Sequence, residues 1–321
     1  MPRIQSLSIL TTAEGKAYLA ELYGKVIENV EMSLISGPMK NRDLSGDPEA
    51  GSVEAKRFAN ATSQAYGTAR AAGAGNKVKE LAVTVAIDVD KEIVEELEEK
   101  DIKLYGVDGV MERRARNHVQ RMEAELDNAF FTAAATDAVA VNLSAYSSIE
   151  KKLEAIIQEC ETTKNQFVDG VPRSMMNLVL SPKYYGEVRD YLDKQTNNAN
   201  INTAAEEFYT WHGVRTQSCV HLPVGCDCLL LVDGAVAQPV MSNPYTAEKI
   251  PLSEAYGVSI FYHYGTKVVT PDLIFKPGTF TAVAAGTTFD ATKTYYTLSD
   301  GVYTVAEIVA FAEGVTYYTM A

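Results

Sequence analysis

Tryptophan occurs once, cysteine four times and histidine four times in 321 residues, and Lys and Arg number only 29 against 42 Asp and Glu. Each shortage excludes something. Four cysteines (Cys160, Cys219, Cys226, Cys228) are too few for a disulfide-stapled scaffold of this length and read as reduced core thiols of an intracellular chain. The deficit of positive charge leaves a net charge of −13, a field that repels polyanions and argues against an electrostatic nucleic-acid binder. Arg113, Arg114 and Arg116 cluster, but acidic residues surround them. Long apolar runs are missing too. The best candidate span, Ala129 to Leu143, is interrupted by Thr132, Thr136 and Asp137. Near the start, Arg3 is followed by only a few apolar residues before Thr11, Thr12 and Glu14. No secretory signal is therefore expected, and the chain is expected to fold where it is made.

What remains is ample for one large domain or two ordinary ones: 46% hydrophobic residues and 22% charged, enough to bury a core without staples. The periodicities place the elements. Tyr18, Leu22, Val26 and Val30 form a stripe that predicts a helix over 13–33, opened by a Thr11/Glu14 capping box and stopped by Gly37-Pro38. A polar loop, 39–51, leads into two extended segments, 52–61 and 77–87, of which the second alternates Val83, Val85 and Ile87. The first arm (Glu54, Lys56, Arg57, Asn60) is too polar for a core. Ten residues per arm would project ~33 Å, and such a hairpin needs another surface to lie on, the first hint of an oligomer. An acidic helix is expected over 91–100, then a break at Gly106 and Gly109. A long helix over 110–134 follows, with Val119, Met122 and Leu126 inward and Arg113, Arg116, Glu123 and Asp127 outward.

From 144 to 239 helices alternate with strands, the mark of a compact α/β domain. Ser147/Glu150 caps one helix, the apolar strand Met176 to Leu180 follows, and Ser181-Pro182 opens a second helix. The polar segment 195–202 reads as a loop. Strands are expected near 213–220, 228–232 and across 256–275. The last forty or so residues hold a repeat: Phe289…Thr294-Tyr295-Tyr296-Thr297 returns as Phe311…Thr316-Tyr317-Tyr318-Thr319, a period of 22 residues, with Asp300-Gly301 as a hairpin signal. Two copies are fewer than a solenoid needs, so this is a small β appendage.

Chemical motifs are scarce. Gly73-Ala-Gly75-Asn-Lys77 lacks the spacing and the hydroxyl of a phosphate loop and reads as a hairpin tip. Cys219, His221, Cys226 and Cys228 form a loose set without paired zinc-ligand spacing. His118, His212, His221 and His263 sit in no nucleophile or metal motif, and His118 reads as exposed or core-edge. Glu95-Glu96 and Glu98-Glu99 read as a solvated helix face. No catalytic, cofactor-binding or metal residue is nominated.

The order of elements carries more than any motif. A short helix, a polar hairpin, a long helix, an α/β domain and returning strands resemble the major capsid proteins of tailed bacteriophages, the Johnson fold. Local text agrees: Leu81-Ala-Val-Thr-Val-Ala-Ile-Asp-Val-Asp90 with Asp101-Ile-Lys-Leu-Tyr105, the helix end Glu125-Leu-Asp-Asn-Ala-Phe-Phe131, and Leu178-Val-Leu-Ser-Pro-Lys-Tyr-Tyr185. The resemblance covers residues 10 to 280. It implies an α+β fold with an N-terminal arm (1–36), an extended β-hairpin loop (37–88), a peripheral domain with a long spine helix (89–143 and 241–282) and an α/β axial domain (144–240). A C-terminal β-rich extension (283–321) lies outside that core.

The same resemblance implies a non-enzymatic shell protein without cofactors. It would self-assemble into pentamers and hexamers of an icosahedral head around phage DNA, with no membrane partner, within the virion and assembled in the host cytoplasm. No long coiled-coil segment precedes the hairpin, so the resemblance implies a separate scaffolding protein, or none, together with a portal. Inter-subunit contacts are expected from Lys56, Arg57, Tyr66, Arg70, Lys77 and Lys79 of the extended loop. Three other readings stay open: an encapsulin-type compartment shell, an uncharacterised enzyme using the α/β region, and a soluble ligand-binding module using the tyrosine-rich C-terminus.

Overall fold

The structure, a computed structural model, describes residues 10–72, 77–194, 201–202, 207–253, 255–284 and 286–321. Residues 1–9 of the N-terminal arm, the Gly73–Asn76 part of the hairpin tip and residues 195–200 of the polar loop lie outside the described residues. The chain divides into two compact units: residues 1–56, 82–131 and 236–269 form one, and residues 57–81, 132–235 and 270–321 the other. Among the described residues no helix is long and apolar enough to cross a membrane.

In the first unit, the helix Ala13–Ser33 is capped by Thr12, whose side chain accepts from the Gly15 N–H at 3.2 Å. The cap is one residue beyond Thr11. Thr12 holds the extended backbone that lets its hydroxyl reach an otherwise unpaired donor. Leu19, Leu22, Val26 and Val30 are buried, with Tyr18 packed beside them. The helix ends at Leu34, before Gly37-Pro38, because a carboxylate takes over the backbone donors there: Asp127 accepts from the N–H groups of Ile35 (3.2 Å) and Ser36 (3.1 Å). Asp127 is therefore fully buried and not on the outer face of the long helix.

That long helix runs Glu99–Asp137, with one non-helical residue, Gly106 (φ 74°, ψ 161°). Gly109 does not interrupt it; only Gly106 adopts the conformation that glycine favours. Val107, Met111, Ala115, Met122 and Leu126 pack against the N-terminal helix. The acidic segment before it is not a helix. Val89–Leu97 is a strand, paired antiparallel over its whole length with Tyr256–Tyr264 (Tyr256 opposite Leu97, Tyr264 opposite Val89), which in turn pairs with Val240–Lys249. Glu and Lys favour helix locally, but a complete ladder and the burial of Leu97 beside Ile93 outweigh that preference. Of the residues on the inward face of this strand, Lys91 pairs with Glu125 at 2.9 Å and Glu95 pairs with Arg114. Glu95 therefore sits in an ion pair and not on a solvated helix face.

The second unit is built on a six-stranded mixed sheet. Its order is Val139–Val141, Ile274–Pro277, Cys228–Val232, Met176–Leu180, Val214–Ser218 and Thr210–Trp211. Met176–Leu180, whose Asn177 donates to Asp233 at 2.7 Å, and the apolar Cys228–Val232 are buried throughout, as strands of a covered sheet should be. The helix Ile149–Thr162 is capped by Ser148, one residue past the expected Ser147. Pro182–Asp193 is capped by Ser181, with Pro182 in its first turn. Leu153, Ile156, Ile157, Cys160, Val188 and Leu192 join Leu178, Leu180, Val214 and Leu230 in one core.

The C-terminal residues form a four-stranded sheet ordered Phe280–Ala282, Tyr318–Met320, Tyr296–Ser299 and Val302–Val305. Asp300 and Gly301, both at positive φ, make the two-residue hairpin turn. The repeat is structural as well as textual. The Asp290 N–H donates to the Tyr295 hydroxyl at 3.2 Å, and 22 residues later the Ala312 N–H donates to the Tyr317 hydroxyl at 3.4 Å. Phe289 lies 5.4 Å from Tyr295, and Phe311 lies 5.2 Å from Tyr317.

Candidate functional site

The extended arm is a three-stranded sheet, Leu44–Ser45, Ser52–Phe58 and Glu80–Ala86, with a short helix Thr68–Ala72 between the second and third strands. Its regular part is seven residues per long strand, shorter than the ten expected. Its two faces differ. Val53 and Ala55 point inward with Val85 and are buried with Ala237 and Val269. Glu54, Lys56 and Phe58 point the other way and are exposed. The first arm is thus less polar in effect than its sequence suggests, because period-two alternation hides its small apolar residues. Gly265 secures the base. A Cβ there would lie 1.8 Å from the Ala86 carbonyl oxygen, so only glycine fits.

Beyond the base, the arm holds large apolar groups in the open. Phe58 is 55% exposed, Val78 79% and Tyr66 97%. Lys77 and Lys79 are exposed beside them, and the Lys79 carbonyl accepts from the Ala59 N–H at 2.9 Å. Arg70 lies in the short helix, and its side chain lies outside the described residues. Arg57 differs from the other five residues singled out in the sequence. Its guanidinium forms a two-pronged pair with Asp272 (2.6 and 2.7 Å) and stacks over the Phe167 ring at 4.4 Å. Burial alone would raise the Asp272 carboxyl. The hydrogen bonds from Arg57 and Asn165, with the Arg57 charge, outweigh it and hold the carboxyl below its ordinary range. Asp272 is 215 residues away in sequence, so no local signal could have marked it.

Two other polar networks were invisible in the sequence. Arg173 bridges Glu154 (2.7 Å) and Glu161 (2.7 Å), and the His212 Nδ1 lies 2.6 Å from Glu154. Burial opposes ionisation of Glu154, but the bonds from Arg173 and His212 prevail and lower its pKa to about 2. His118 is buried, not at a core edge, with Nδ1 2.6 Å from the Tyr245 hydroxyl and Nε2 3.1 Å from Glu95. Burial lowers its pKa despite Glu95. Both networks lock elements together.

The candidate metal set does not converge: among the described residues no three His, Cys, Asp or Glu side chains are placed to hold an ion. Cys160, Cys219 and Cys228 are buried, and none of the four cysteines is in a disulfide. Burial pushes the Cys160 thiol up to about 12 and raises Cys226 as well, which makes them poor nucleophiles.

No protein-family model and no curated protein matches the sequence. Solved structures do match the fold. A structure from Mycobacterium phage Che8 shares 17% identity, with 81% of this chain and 89% of that chain covered and a TM-score of 0.53. The capsid structure of the cyanophage P-SCSP1u shares 13%, with 76% and 88% covered and a TM-score of 0.56. A virus-like particle from Pyrococcus furiosus shares 10%, with 81% and 99% covered and a TM-score of 0.50. Identities this low transmit shape and not residue roles. The exposed arm, the spine helix, the mixed sheet and the returning strands together give this chain the α+β fold of tailed-phage capsid proteins, the Johnson fold.

Proposed function

We propose that the chain is a major capsid protein that assembles with copies of itself into an icosahedral shell. One observation carries this reading: an arm of this fold that leaves Tyr66 and Val78 almost fully in solvent. Large apolar groups on a narrow arm cost solvation unless a second surface covers them. In a head-to-tail ring each subunit can lay its arm on the next, and such heterologous contacts close into pentamers and hexamers. Lys56, Tyr66, Arg70, Lys77 and Lys79 are the proposed contact residues. Arg57 serves the arm from within, by fixing its departure point against Asp272.

In this reading the protein is structural and not catalytic, and it belongs to the virion. Residues 1–36 are the arm that precedes the loop, 144–240 the axial domain and 283–321 an outer appendage. Packaged DNA is enclosed without sequence-specific contact, in keeping with the net charge of −13. A separate scaffolding protein and a portal complete the assembly in the host cytoplasm. A compartment shell without a phage genome is the second reading, favoured by the 99% coverage of the virus-like-particle chain.

Particle mass tests the proposal. Light scattering and negative-stain imaging of the purified chain should show rings, capsomers or megadalton shells, alone or after addition of the scaffold. A chain that stays a 35 kDa monomer under both conditions would refute it.

A further inference from the structure

A cavity of about 460 Å³ opens beside the last turns of the helix Ala13–Ser33, within the first unit. That size lies within the roughly 300–1,000 Å³ of small-molecule pockets. One wall is apolar, formed by Val30, Leu34, Met122 and Leu126. The remaining lining includes polar residues and holds two unused functions. Lys40 and Arg42 both line it, and neither ammonium nor guanidinium forms an ion pair or hydrogen bond with a described residue. Burial pushes the Lys40 ammonium down to about 8, against the pull of Asp127 and Glu31. Asp127 does not pair with it directly, because its carboxylate is taken by the Ile35 and Ser36 N–H groups.

The second unused function is Gln238. Its side chain is 5% exposed and lines the same cavity. Its amide nitrogen donates to the Leu126 carbonyl and the Thr266 hydroxyl, both at 2.9 Å, which fixes the amide orientation. Its oxygen is buried without a partner. A buried acceptor left unpaired costs about 1–3 kcal/mol, a cost that a donor brought by a ligand would relieve. In formal charge Asp127 and Glu31 balance the two cations, but the Asp127 carboxylate faces the Ile35 and Ser36 N–H groups, and neither cation has a direct partner among the described residues.

We propose that this cavity binds a small amphipathic carboxylate: an aliphatic stem along Val30, Leu34, Met122 and Leu126, a carboxylate on Lys40 with Arg42 at the rim, and a neighbouring N–H or O–H donor for the Gln238 oxygen. A medium-chain N-acyl amino acid has all three parts.

N-octanoylglycine is the probe, titrated calorimetrically into the full chain, with octylamine as the charge-reversed control. Protection of Lys40 from an amine-reactive reagent, read by mass spectrometry, locates the binding. The expected result is saturable binding of N-octanoylglycine, no binding of octylamine, selective protection of Lys40, and affinity reduced at least tenfold by Lys40→Met. Arg42→Gln, at an exposed position, should weaken binding several-fold and keeps the test valid if Lys40→Met fails to fold. Equal binding of octylamine, an unprotected Lys40 at saturation, or no binding at all would overturn the proposal. So would protection of Lys40 by particle formation alone in a chain that does not bind the probe, which would assign the cavity to a subunit interface.

Discussion

The extended arm and the C-terminal β appendage are both small β structures outside the main sheets, yet they treat their aromatic residues in opposite ways. The appendage buries Tyr295 and Tyr317, gives each hydroxyl a backbone donor five residues earlier, and packs Phe311 edge-on against Phe289 and Tyr295. The arm holds Tyr66 and Phe58 in solvent, with its base buried and the Asn60 N–H donating to the Gln166 carbonyl at 2.9 Å. One packs its aromatic rings against each other, and the other leaves Phe58 and Tyr66 for a second surface. A sheet of a few strands is stable by itself only when it has an apolar face to bury. The appendage supplies that face by repeating one unit, whereas the arm buries apolar groups at its base and exposes Phe58, Tyr66 and Val78 beyond it.

The contrast can be broken by deletion. Replacing residues 59–79 with a short turn should abolish particles while the chain still melts cooperatively, and particles of normal size from that variant would end the assembly role of the arm. Removing residues 284–321 should leave assembly possible, at the cost of the bonds that Asn142 and Ser144 make to Tyr303. A chain that no longer folds would show that the appendage is part of the core.

Single substitutions sharpen it. Tyr295→Ala and Tyr317→Ala should each destabilise the appendage by about 3–4 kcal/mol, as large-to-small changes in a packed cluster do. The two effects should be similar, because the repeats are equivalent. Hydrogen exchange over 286–321 reads both, and a strong asymmetry would argue against equivalence. Tyr66→Ser, by contrast, should change stability by less than about 0.5 kcal/mol and show its effect in assembly yield.

The base of the arm should behave like a core. Arg57→Ala leaves Asp272 half-buried without its ionic partner and should cost about 2–3 kcal/mol in urea unfolding, while Lys56→Ala on the exposed face should cost about 0.5 or less. Equal effects would mean that the ion pair contributes nothing.

A smaller effect than that of Arg57→Ala is expected in the acid sensitivity at Glu154. Its folded pKa, about 2, lies below the ordinary value of 4.5. Its stabilisation is therefore complete above pH 4.5 and is lost as the pH falls toward 2. Partial solvent screening reduces it to about 1–2 kcal/mol. Glu154→Gln should flatten that part of the stability profile, and an unchanged acid limb would assign the sensitivity elsewhere.

Much of this fold is written locally. Alternation in Tyr256–Tyr264, the apolar run Met176–Leu180, the Ser181-Pro182 helix start and the Asp300-Gly301 turn each state their structure within a few residues, because backbone sterics and side-chain period act at that range. The caps at Thr12 and Ser148 were legible to within one residue. The exposed arm could be read from polarity, although its hidden apolar face shortened it. Tertiary structure alone decided the rest. Val89–Leu97 is a strand because partners more than 150 residues away complete its ladder. Asp127 is buried because two backbone donors at the end of another helix need it. Arg57 is held inside the chain because Asp272 arrives from the far end of the sequence. Pairings of charges and ladders across such separations depend on what the whole chain brings together, and no local period encodes them.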